Sequence, residues 1–82
     1  MPSEIARSAR RAVRNPILAL PCMTGVALLP PEAKAALRAI LADMRADAAA
    51  RAQTSWKQNK GPMAAYWKAV SVYALHIGRA IR

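Results

Sequence analysis

The sequence predicts an all-α fold: a small three-helix domain, built as a helical hairpin with an N-terminal helix and an apolar loop packed on it. Apolar residues recur at i, i+3, i+4 and i+7 through 33–55 and again through 63–81, the spacing of one buried helix face. Between these stretches lies Gln58-Asn59-Lys60-Gly61-Pro62, a run of turn-forming residues. Alanine supplies 20 of the 82 residues, which favours helix throughout because alanine loses the least on entering one. A chain of this length holds one domain at most, residues 1–82, near the lower limit for a self-sufficient core.

The first helix is expected over residues 3–14. Ser3 is placed to cap it and Glu4 to meet the positive end of its dipole. Ile5, Ala6, Ala9, Ala12 and Val13 share one face, and Arg7, Arg10, Arg11 and Arg14 the other. Asn15-Pro16 ends it, since the residue before a proline is pushed out of the helical region. Residues 15–30 hold Pro16, Pro21, Gly25 and Pro30 without a clean period. They are expected to form an irregular apolar loop across the hairpin, with Cys22 as a small buried hydrophobe.

Pro31-Glu32 opens the longest helix, expected over 31–59. Its expected core stripe is Ala33, Leu37, Ile40, Leu41, Met44, Ala48, Ala52 and Ser55. Ala39, Ala42, Ala46, Ala49 and Ala50 form its back, suited either to solvent or to the close approach of another helix. Gly61 is expected to take the left-handed cap conformation and Pro62 to open the last helix, 62–81. There the expected stripe is Met63, Tyr66, Trp67, Val70, Ala74, Ile77 and Ile81, with Tyr73 at its edge. Val72, Leu75 and Arg79 lie opposite, beside Lys68 and His76. Two large apolar residues there imply a second contact, with the 16–29 segment or with another subunit.

Thirteen Lys and Arg against four Asp and Glu leave a net charge of +9 and a pI near 11.2. Such a field draws polyanions: nucleic acid, an acidic protein or an anionic membrane. Two basic clusters are candidates for phosphate contact. One is the arginine face Arg7, Arg10, Arg11 and Arg14, because guanidinium forks bind phosphate oxygens in pairs. The other surrounds the turn: Lys57, Gln58, Asn59 and Lys60, with Lys68 beyond. Trp56 beside it offers a stacking surface, although its expected place is as a lid on the end of the core. The helix after the turn begins Met63-Ala64-Ala65-Tyr66, which lacks the polar first turn of a major-groove reader.

Other classes are disfavoured. A lone Cys22 precludes an internal disulfide, and no Cys/His cluster builds a zinc site. Asp43 and Asp47 sit on a helix flank among arginines, His76 has no acid at useful spacing, and Gly25, Gly61 and Gly78 are isolated. The expectation is therefore no enzyme, no cofactor, no metal and no small-molecule substrate. The apolar 16–29 stretch is short for a span and lacks a signal-peptide cleavage pattern, so a cytoplasmic chain starting at Met1 or Pro2 is expected.

The leading functional expectation is a small basic binding protein that contacts nucleic acid, or a nucleic-acid-processing complex, through Arg and Lys patches. The alternative is an inhibitor or adaptor of the kind phages direct at CRISPR complexes, docking on an acidic protein surface or blocking a nucleic-acid channel. A membrane-surface anchor formed by residues 3–20 is a minor third, weakened by its alanine face. Monomer and homodimer are both compatible, with the alanine back and the Val72/Leu75 pair as dimer surfaces.

Overall fold

A computed structural model describes residues 14–82. The helix expected over 3–14, with Arg7, Arg10 and Arg11, falls almost wholly outside the described residues. The remainder is all-α: a 3-10 turn at Pro16–Ala19, then α1 (Cys22–Ala27), α2 (Pro31–Lys57) and α3 (Gly61–Ala80). The long helices begin and end within two residues of their expected bounds. The 15–30 segment is not the irregular loop expected. Its prolines stand at helix starts, with Pro16 opening the 3-10 turn and Pro21 preceding α1, where a missing N–H costs nothing. Cys22 is exposed rather than buried.

Local chemistry sets the ends of α2. Pro31 occupies its first turn, where Glu32 faces the positive end of the dipole, and Lys57 stands in the last turn. The left-handed residue at the turn is Asn59, with φ of 58°, while Gly61 already lies inside α3. The Lys60 N–H donates to the Ser55 carbonyl at 2.8 Å and the Asn59 N–H to that of Trp56 at 3.1 Å. This pair of bonds is a Schellman motif. Asparagine fills its left-handed position because it tolerates positive φ better than other residues with a Cβ.

The helices meet along a seam of mostly small residues at spacings of three, four and seven. Leu41, Ala48 and Ser55 from α2 face Ala64, Ser71, Ala74 and Gly78 from α3, and Ala48 and Ala74 are each only 2% exposed. A Cβ placed on Gly78 would stand 3.8 Å from the Leu41 Cβ, so the two helices are in close contact there. The Ser71 hydroxyl donates to the Lys68 carbonyl of its own helix at 2.8 Å, which lets it sit in the seam without an unmet donor.

This seam corrects both expected core stripes. Ile40, Met44, Met63 and Tyr66 are exposed, and Trp67, Val70 and Ile77 are only half-buried. Trp56, expected to cover the core end, is 69% exposed. Large side chains wedge helices apart, whereas Ala, Ser and Gly allow a close approach. The helices have closed on the small residues and left the large ones on their flanks. The back-face alanines of α2 are exposed.

The core is concentrated at the end away from the turn. Leu41, Ala74 and Ile81 cluster there, with Val26 of α1, Leu37 and Ile77 packed against them. The Asn15 side-chain amide donates to the His76 carbonyl at 2.7 Å, tying the start of the described chain to α3.

Candidate nucleic-acid interface

One side of the hairpin gathers the basic residues. On α2, positions 38, 42, 45, 49, 52 and 56 recur at steps of three and four and so share a face. On α3, positions 61, 65, 68, 75 and 79 share a face likewise, at steps of three, four and seven. A groove of about 230 Å³ between these faces is flanked by Arg38, Arg45 and Arg79 and floored by Leu41, Ala74 and Gly78. Leu75 also lines it. Toward the turn the same two faces border a separate cleft of about 400 Å³, lined by Ala49, Ala52, Gln53, Trp56 and Lys68. Glu32, Asp43 and Asp47, the carboxylates of the described residues, border neither hollow. From position 38 to position 56 the face runs roughly 27 Å at 1.5 Å per residue.

A third hollow, of about 220 Å³, continues the basic surface around the end of α3. Arg14, Arg79 and Arg82 surround it, with Asn15, Leu18 and His76. The Asn15 Oδ1 atom is buried there without a hydrogen-bond partner. Arg79 borders both this hollow and the groove, joining them into one positive surface. Among the described residues, no three His, Cys, Asp or Glu side chains come together to hold a metal ion.

Of the sequence-predicted site residues, Arg7, Arg10 and Arg11 lie outside the described residues, and the others fall at three places. Arg14 is exposed beside Arg79 and Arg82. Lys57, Gln58, Asn59 and Lys60 are exposed at the turn, where the backbones of the last three form the helix cap described above. Lys68 borders the cleft opposite Trp56. Val72 and Leu75 are half-buried and Arg79 is exposed. Residues 15–18 meet α3 at His76 and Arg79, while Leu75 lines the groove.

Sequence reasoning missed Arg38 and Arg45. Their signal was present as an i, i+7 pair, two helical turns apart on one face, but a search for contiguous basic runs passes over it. Arg51, seven residues from Met44, lies on the other flank, 3.3 Å from Asp47 and over the Trp67 ring at 5.2 Å.

The class defined by this geometry is a small all-α helical hairpin with one basic face. No protein-family model matches the chain, and no curated protein or solved structure shows a significant likeness to it. Among the described residues, no helix is long and apolar enough to cross a membrane.

Proposed function

We propose that the protein binds nucleic acid non-enzymatically, through phosphate contacts along the α2/α3 basic face. The observation that carries this reading is the placement of Arg38, Arg45 and Arg79 around one groove and Lys68 on the cleft next to it, with no carboxylate side chain of the described residues on either. Arginine is well suited to it, because the guanidinium is permanently charged and binds phosphate oxygens in pairs. A shallow groove floored by Ala, Gly and Leu offers few hydrogen-bonding groups for base edges, so the contacts position a backbone rather than specify a sequence. Trp56, largely exposed beside Lys68 and Gln53, adds a ring on which an unpaired base can stack. That addition favours single strands or duplex ends over continuous duplex.

The test is fluorescence anisotropy with labelled single- and double-stranded DNA and RNA over a salt series. Four neutralised phosphates predict a slope of log K against log salt of about −3 to −4. Arg38→Ala with Arg45→Ala should flatten that slope by about two, uniformly across sequences. Absence of binding at low salt would overturn the reading and leave the basic face to an acidic protein surface.

A further inference from the structure

The opposite side of the hairpin is an apolar face with no partner in the chain's described part. Ile40 and Met44 from α2, with Met63, Tyr66 and Tyr73 from α3, lie between 44% and 58% exposed. They share a side because Arg51, in register with Met44 on α2, reaches the Trp67 ring of α3, while the basic residues border the grooves behind. Tyr66 and Trp67 meet edge to face at 5.1 Å, so the aromatic surface is partly preformed. We propose that this face is the interface with a second copy of the chain, giving a two-fold dimer that closes as a four-helix bundle.

Three observations select a second copy as the occupant. First, the area suits a dimer. At roughly 150–250 Å² for a large side chain the five, about half exposed, present on the order of 400–650 Å². Trp67, Val70 and Ile77 beside them raise this toward the ~800 Å² per partner of a standard interface.

Second, the charge suits self-association. Two chains of +9 repel, and on this face two of the described charges, Asp47 and Arg51, pair with each other, whereas the described groove residues Arg38, Arg45 and Arg79 lie on the other side. Pairing here turns the two basic faces outward and away from each other.

Third, the lone hairpin has little core. Its buried hydrophobics are Leu41, Ile81 and three alanines. Among the described residues, residues 15–27 add to the two helices only at the end away from the turn, and a second copy supplies along the rest the second layer that domains need. The result is a helix bundle with short loops that presents basic surface on both outer sides. The proposal stands on the apolar face and does not depend on the nucleic-acid reading.

The experiment is size-exclusion chromatography with light scattering on nuclease-treated full-length protein, with thermal unfolding followed by circular dichroism at several concentrations. The expected mass is twice the 8.9 kDa of one chain, and Tm should rise with protein concentration because unfolding is coupled to dissociation. Added salt should tighten the pair by screening repulsion, the reverse of its effect on nucleic-acid binding. Tyr66→Glu with Tyr73→Glu should give the mass of one chain, whereas Trp56→Glu on the other side should leave the dimer intact. If the double variant does not fold, the wild-type concentration series decides alone. A single-chain mass at tens of micromolar with a concentration-independent Tm would overturn the proposal. So would a dimer that persists in a helical Tyr66→Glu/Tyr73→Glu variant.

Discussion

On one side of the hairpin, Arg38, Arg45, Lys68 and Arg79 border grooves floored by alanine, glycine and leucine. On the other, Ile40, Met44, Tyr66 and Tyr73 stand around the Asp47–Arg51 pair. Both sides arise from the same two helices, and each follows from which positions share a helical face. The difference teaches that the hairpin keeps little apolar bulk between its two helices. Its seam holds the two helices by close contact of small residues, and its large side chains remain free for other contacts. The Asp47–Arg51 pair adds little, being more than half exposed at both ends.

The sharpest way to break this comparison is to spoil the seam that keeps the two sides apart. Ala48→Leu forces a large side chain into a site only 2% exposed and should cost about 3 kcal/mol by overpacking. Urea unfolding measures it, and a loss of less than half that value would mean the helices are not in close contact. Leu41→Ala removes the largest α2 side chain of the core cluster and should cost about 2–3 kcal/mol. Its effect should appear in Tm without altering the salt slope of nucleic-acid binding.

A milder intervention sharpens the comparison by touching one side only. Arg38→Ala with Arg45→Ala should leave stability within about 0.5 kcal/mol, because both residues are exposed. The same double variant should weaken polyanion binding and leave the two-chain mass unchanged, which anisotropy and light scattering read separately.

Smaller effects test the frame on which both sides hang. Asn59→Ala places an ordinary residue at φ of 58° and should destabilise by about 1 kcal/mol. Gly78→Ala should instead stabilise by about 0.5–1 kcal/mol. Its new Cβ would stand 3.8 Å from Leu41, an ordinary contact. A lower Tm for Gly78→Ala would show that the seam is tighter at that point than 3.8 Å.

The order and approximate ends of the two long helices were legible in the sequence, as was the break between them. Those features depend on local chemistry: Pro31 and Pro62 can only begin helices, and Asn59 tolerates the left-handed region. Net charge was legible too, being a sum. The helical turns within residues 16–27 were not, because several prolines and a glycine read as breaks when Pro16 and Pro21 in fact stand at helix starts.

The face that each helix turns to the other was decided only by tertiary structure. Periodicity marks a stripe wide enough to include both Leu41, which is buried, and Ile40, which is not. It ranks positions by the apolar area they offer, and on that scale Tyr66 outranks Ala64. Packing also depends on how closely two backbones approach, and that depends on the residues facing them across the seam. Ala64, Ser71 and Gly78 lie opposite Ser55, Ala48 and Leu41, so each helix determines the other's buried face. The grouping of Arg38 and Arg45 with Lys68 and Arg79 follows from that choice, because a different rotation of either helix would have separated them.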